Sequence, residues 1–160
     1  MAEVDAETID RVNIYQATRI AMLGAVHGLT LAPDHLLIDA MRLDHPCAQT
    51  RLFYGDALSL SIAAASVVAK VHRDRLMREL DELHPGYGLS SHKGYGTPEH
   101  RRSLIELGPC ALHRRSFAPV RALICGEPEG SGLLFDDVLP DDPALEDMLL
   151  EDADLEVGAD

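Results

Sequence analysis

Apolar residues near the start of the chain recur at helical spacing. Ile9 and Val12, then Ile14, Ala17, Ile20, Ala21 and Leu23, fall mostly three or four apart, which predicts one helix over residues 7–27. Gly28 to Pro33 reads as a loop, and His35-Leu36-Leu37-Ile38-Asp39 as a short buried strand ended by a carboxylate. Residues 41–50 contain Pro46 and many polar groups and read as loop. Arg51 to Tyr54 is a second strand candidate, closed by Gly55. The longest pattern is helical, from Leu58 to His84. Its first half is almost uncharged and predicts burial, whereas its second half alternates charges and predicts an exposed face. Pro85-Gly86 stops it. Ser90 to Gly96 is a basic, Gly-rich loop. Thr97 and Pro98 then open another helix, as N-cap and first helical residue. Gly108-Pro109 ends that helix, and Pro119 opens a last short one. Beyond Gly126 there is only a weak helical pattern, over Ala144 to Leu150.

The 160 residues are enough for one domain with a sizeable core, and the 46% hydrophobic content is aliphatic, without Trp. No apolar run is long enough to span a membrane, and the acidic N-terminus is unlike a secretory signal. Cys47, Cys110 and Cys125 are odd in number and lack C-x-x-C spacing, which points to a reducing cytoplasm without disulfides or structural zinc. The net charge of −13 seen along the chain is not uniform. Residues 126–160 hold thirteen acids and no Lys or Arg, so residues 1–125 are neutral. Within 70–121 there are ten Lys or Arg against six acids, with five His. A neutral body with a basic middle therefore carries an acidic tail, expected to be a disordered, solubilising extension.

Three features could carry chemistry. Asp39 ends a strand, and Asp56 follows Gly55 just before a long helix, so the two carboxylates can converge as hard-cation ligands. The alternative is that Asp56 caps the helix and Asp39 is a loop residue. In Ser91-His92-Lys93-Gly94-Tyr95-Gly96-Thr97, two glycines bracket a Tyr beside cations. That suits close approach to a sugar or base next to phosphate, or else an ordinary polar turn. His113-Arg114-Arg115-Ser116-Phe117 offers forked donors for phosphate, although such arginines are more often solvated or paired. Lys70, Arg73 and Arg78 read as a solvated helix face. Phosphate-loop, dinucleotide, nucleophile-elbow and zinc-protease motifs are absent.

Taken in order, these segments resemble the ribonuclease HII family. The matching stretches are Asn13 to Thr18, Leu37-Ile38-Asp39, Gly55-Asp56, Ser59 to Val71 with Arg73-Asp74, His92 to Thr97 with Glu99-His100, and His113 to Val120. Together they span roughly residues 7–121. The resemblance implies an α/β, ribonuclease H-like fold over 1–125. It implies an endonuclease that cleaves the RNA strand of RNA–DNA hybrids, and ribonucleotides embedded in duplex DNA, leaving 5′-phosphates. Mg²⁺ or Mn²⁺ is the implied cofactor. Asp39 and Asp56 fall on the third and fourth of four metal-binding acids, and Tyr95 on the residue that senses the ribose–deoxyribose junction. His92, Lys93, Gly94, Arg114 and Arg115 are the implied substrate contacts.

The sequence also departs from that family. The Asp-Glu-Ala-Gly-Arg-Gly-type motif, which bears the first two acids on the first strand, is not present. The expectation is an N-terminally truncated fold, lacking its first strands, helix-rich in the remainder, and with the apolar face of the 62–71 helix uncovered. Two readings stay open. One is an enzyme, impaired as this fragment and completed by a separate N-terminal piece or by an upstream start. The other is a non-catalytic remnant that binds nucleic acid or a partner. Ala40 stands where a glycine is usual, and Leu58 where many members carry Lys.

Overall fold

The structure, a computed structural model, describes residues 1–126. The weak helical pattern at 144–150 and the acidic tail lie outside the described residues. Seven helices and two strands follow one another: α1 Ala6–Val12, α2 Ile14–His27, β1 His35–Asp39, β2 Ala48–Leu52, α3 Gly55–Leu58, α4 Leu60–Leu83, α5 Leu89–His92, α6 Pro98–Leu107 and α7 Ala118–Cys125.

The helix expected over 7–27 is two helices. Asn13 takes a backbone of φ 68°, ψ 167°, and its side chain accepts the Gln16 N–H at 2.9 Å. A side-chain acceptor at that point competes with the helical ladder, so a new helix starts there. Asp5 caps α1 in the same way, accepting from the Thr8 N–H at 2.8 Å. The long helix expected from Leu58 to His84 runs as α4, but starts at Leu60, because Ser59 stands in extended backbone (φ −133°, ψ 117°) and separates the short α3 from it.

β1 and β2 pair in parallel, His35 opposite Ala48 through Asp39 opposite Leu52. The second strand therefore lies earlier than the Arg51–Tyr54 expected from its apolar residues. Its partner rungs end at Asp39, so Phe53 and Tyr54 fall into a turn, with Tyr54 left-handed at φ 56°. The connection over 40–47 is short for parallel strands, which ordinarily need a longer crossover. The Gln49 amide holds it: it accepts from the Leu43 N–H and donates to the Leu43 and His45 carbonyls at 2.8–3.0 Å.

Ala17, Ile38, Leu43, Ile62, Tyr87, Leu89, Leu104 and Val120 form the buried core of the described residues. Thr97 caps α6 as expected, accepting from the His100 N–H, with Pro98 in first position. The first half of α4 is not buried as its composition predicts. Only Ile62 is covered, while Val67, Val68 and Val71 are each more than half exposed. Among the described residues Met1 lies beside Val67, Val68 and Val71, and Glu3 is bonded to His72, but these leave the three valines largely exposed.

Ala40, directly after β1, holds φ 52°, a conformation that costs a residue with a Cβ about 1–2 kcal/mol. Ala40→Gly is expected to raise stability by about 0.5–1 kcal/mol, once the glycine's extra unfolded-state entropy is subtracted. Urea unfolding of the two proteins checks it; a lower midpoint for the glycine variant would show that Ala40 is unstrained.

Candidate functional site

Asp39 and Asp56 are brought together through Gly55. The Gly55 N–H donates to Asp39 Oδ1 at 2.8 Å, so the tip of β1 is tied to the residue preceding Asp56. A Cβ on Gly55 would lie 2.7 Å from Ile62 Cδ1 and 3.1 Å from Asp39 Oδ1. Ile62 is buried and has little room to give, so only glycine permits this approach. Asp56 is not a helix cap: Tyr54 occupies that position, and Asp56 lies in the first turn of α3. One oxygen of Asp56 accepts the Ala57 N–H at 2.9 Å, and both carboxylates are exposed.

Hard dications take six or more oxygen ligands, of which Mg²⁺ usually keeps several as water and draws the rest from one or two carboxylates and substrate phosphate. Among the described residues, no group of three or more His, Cys, Asp or Glu is arranged to hold a metal. The pair by itself would hold a dication only weakly. It does fit as two ligands of a larger set, because each carboxylate spends one oxygen on a backbone N–H that fixes its direction.

Tyr95 is held by a residue that the sequence pattern assigns to a solvated face. Arg73 on α4 lays its guanidinium 4.7 Å from the Tyr95 ring centroid, donates to Tyr95 Oη at 3.2 Å and to the Lys93 carbonyl at 2.9 Å. No local signal announces this, since the partners come from a helix and a distant loop. The loop itself needs left-handed backbone at Lys93 (φ 53°) and Gly94 (φ 81°), next to the turn of α5 that interrupts the expected loop. Lys93 Nζ donates to the Ser90 carbonyl, whose own hydroxyl is bonded to Asp81. His92 is buried, with Nε2 on the Tyr87 carbonyl at 2.7 Å and Nδ1 accepting the Gly94 N–H at 3.1 Å. It shapes the loop from within, while the Tyr95 ring stays half exposed.

The segment after His113 is pinned by an acid with no conspicuous pattern around it. Asp10 on α1 accepts from the Arg115 N–H at 2.7 Å, the Ser116 N–H at 2.9 Å and the Ser116 hydroxyl at 2.5 Å. These bonds, the Ser116 hydroxyl foremost, lower the Asp10 pKa. Arg114 stacks on Phe117 at 5.0 Å, and Arg115 is exposed. Helix α4 relates two of these clusters: Ile62 abuts Gly55, and Arg73 reaches Tyr95 about 16 Å further along the axis, at 1.5 Å per residue.

Comparison with known proteins gives three findings. A family model described as Ribonuclease HII matches residues 1–120. A curated protein named Ribonuclease HII, from Koribacter versatilis (strain Ellin345), is 59% identical over 120 residues, which is 75% of this chain and 47% of that protein. The crystal structure of the ribonuclease H2 from Pyrococcus horikoshii OT3 superposes with a TM-score of 0.63 at 19% identity, covering 75% of this chain and 65% of that one. This last likeness speaks for the fold, which is the ribonuclease H-like arrangement. The chain spans about half the length of the curated relative it matches.

Asp10→Ala removes all three bonds to the arginine-bearing segment. Amide hydrogen exchange at Arg115 and Ser116 is expected to speed up by about tenfold or more, the worth of one charge-assisted hydrogen bond. Because the Asp10 pKa is lowered on folding, these bonds are present above the ordinary Asp value of 3.8 and weaken as pH falls below it. Unchanged exchange in the variant would mean that the segment is held by other contacts.

Proposed function

The chain belongs to the ribonuclease HII family, and we propose that it supplies half the metal-holding carboxylates and the junction-reading tyrosine of an endonuclease acting on RNA–DNA hybrids and on ribonucleotides embedded in duplex DNA. The observation that supports this reading is the Gly55–Asp39 hydrogen bond, which ties the exposed Asp39 carboxylate to the residue preceding the exposed Asp56. Asp39 and Asp56 would hold a divalent ion, Mg²⁺ or Mn²⁺. Such an ion, when bound, offsets charge on the scissile phosphate and makes water more acidic. Tyr95 packs its ring against the sugar where ribose meets deoxyribose, the position at which the 2′-hydroxyl distinguishes RNA from DNA. Arg73 keeps that ring oriented, while Lys93, Gly94, Arg114 and Arg115 line the path of the phosphates and His92 supports the loop from beneath. Cleavage on this reading leaves a 5′-phosphate. The three unpaired cysteines accord with a cytoplasmic setting.

The catalytic set needs partners. A two-stranded parallel sheet is rarely a complete one, and parallel sheets are ordinarily covered on both faces. Leu37 on β1 and Leu58, Leu60, Val67, Val68 and Val71 on α3 and α4 are all exposed. The occupant we assign to this surface is the strand-bearing portion of a ribonuclease HII with the Asp-Glu-Ala-Gly-Arg-Gly-type motif. It would bring the remaining acids next to Asp39. The absence of a third ligand around Asp39 and Asp56 among the described residues favours one alternative, a chain that binds hybrid without cutting it.

The test is cleavage of a DNA duplex containing one ribonucleotide, with Mg²⁺ or Mn²⁺. The chain alone is expected to be inactive or nearly so, and to cut 5′ of the ribonucleotide when the motif-bearing segment is added. Asp39→Asn and Asp56→Asn should abolish that activity with folding intact, since Asn keeps the acceptor oxygen. Restored cutting by either variant would remove the pair from the site, and binding without cutting under every condition would leave the non-catalytic reading. Arg73→Ala is expected to weaken binding of the same duplex about fivefold, roughly the worth of an exposed cation–π contact. Fluorescence anisotropy measures this, and equal affinity would mean that Tyr95 needs no support from Arg73.

A further inference from the structure

Behind the Tyr95 loop lies a chain of hydrogen bonds that the reading above does not use. The Cys110 N–H donates to His113 Nδ1 at 3.1 Å. That nitrogen therefore carries a lone pair, and the His113 proton sits on Nε2. His113 Nε2 faces His100 Nε2 at 3.2 Å, and His100 Nδ1 faces the Tyr95 carbonyl at 2.9 Å. A carbonyl only accepts, so the His100 proton sits on Nδ1, and its Nε2 accepts from His113. One arrangement of protons satisfies every link, and in it both rings are neutral. The relay joins the turn preceding Arg114 and Arg115 to the residue whose ring is the proposed junction reader.

We propose that His100 and His113 are positioning residues for Tyr95, acting as a neutral two-imidazole relay that locks the Tyr95 loop to the arginine-bearing segment and opens when either ring takes up a proton. The inference rests on the proposed function for its consequence, but not for its existence. A proton added to His100 Nε2 points at the His113 Nε2–H, and one added to His113 Nδ1 points at the Cys110 N–H. At His100 a hydrogen bond becomes a clash between two donors; at His113 the bond from the Cys110 N–H is lost, and only the Cys110 Sγ, 3.2 Å from the same nitrogen, is left to accept.

The surroundings favour the neutral state. His92 on α5 stacks on His100 with centroids 4.1 Å apart and planes 11° apart, and the Tyr87 ring lies 5.2 Å from His113. Burial lowers the His100 pKa, with the Tyr95 carbonyl opposing and His92 adding to the fall. Burial also lowers that of His113, with His100 and His84 adding and Cys110 opposing. Glu99 and Arg101 flank His100 on α6; Arg101 is bonded to the Gly96 carbonyl at 3.1 Å, within the same loop. The sign follows from linkage. Each folded-state pKa is depressed below 6.5, so the stabilisation is present above that value and is lost as pH falls from there through the folded value. Free imidazolium groups ordinarily strengthen binding to phosphate as pH falls. The relay works against that trend.

The experiment is ¹⁵N NMR of the histidine rings in the full 160-residue chain, titrated from about pH 7.5 to about pH 5.5, a span bracketing the ordinary histidine value of roughly 6.5. At the alkaline end His100 is expected as the Nδ1–H tautomer and His113 as the Nε2–H tautomer. Both should titrate below the ordinary value, with the Tyr95 and Gly96 amides shifting at the same midpoint. His113→Ala should raise the His100 midpoint, while the Tyr95 carbonyl keeps the His100 proton on Nδ1. His100→Asn, whose amide can still donate to the Tyr95 carbonyl, should keep the loop signals near their wild-type positions and remove their pH response. It also serves should His113→Ala fail to fold.

Binding of the ribonucleotide-containing duplex, followed by anisotropy, should fall with acid in the wild type by roughly fivefold relative to His100→Asn, about the worth of one neutral hydrogen bond. Opposite tautomers, ordinary and independent titration of the two rings, or Tyr95 amides indifferent to pH would overturn the relay. A relay seen by NMR in a chain that binds no duplex at any pH would instead count against the proposed function.

Discussion

The absence of a side chain at Gly55 is the constraint on which the site depends. Any Cβ there would strike Ile62 and press on Asp39. With glycine, the backbone N–H reaches the Asp39 carboxylate, and the start of α3 is drawn against the end of β1. The fold thus holds Asp39 against the residue that precedes Asp56. The left-handed residues on either side, Tyr54 and Ala40, are the local cost of turning the chain sharply at both strand ends.

From that point α4 works as a rigid spacer. Its first turn buries Ile62 against the glycine, and its middle sends Arg73 to the Tyr95 loop. The Gly55 turn beside Asp39 and the Tyr95 loop are thereby both braced by one helix, through Ile62 and Arg73. The opposite consequence is a long apolar face of the same helix left open to solvent. That face and the small parallel sheet are both apolar surfaces of the kind that helices and strands ordinarily cover.

Much of this was legible in the sequence, for reasons that particular residues make plain. β1, the Thr97-Pro98 helix start and the Gly108 stop rest on local rules, and the structure has them where those rules put them. β1 is nevertheless buried only at Ile38 and not along its length, because no further described strand or helix covers Leu37. The break at Asn13 is also local, but an isolated Asn inside a helical pattern does not announce that its side chain will cap a second helix. β2 was misjudged by its Phe and Tyr, because strand length is set by the partner, and β1 stops at Asp39. Burial of the α4 N-terminal half was inferred from composition, which reports what a helix can bury and not what is there to cover it. Within the site, the Asp39, Asp56 and Tyr95 positions followed from family order. Arg73, Asp10 and the His100–His113 pair did not, because each acts through contacts between elements far apart in the chain.

The central claim is that Asp39 and Asp56 are a joint metal-holding pair, and paramagnetic broadening by Mn²⁺ tests it most directly. In an amide NMR spectrum of the isotopically labelled chain, small additions of Mn²⁺ are predicted to broaden Asp39, Ala40, Gly55, Asp56 and Ala57 together, and Asp39→Asn should spare all five at once. Broadening confined to the acidic residues beyond Gly126, or unchanged by that substitution, would contradict the account.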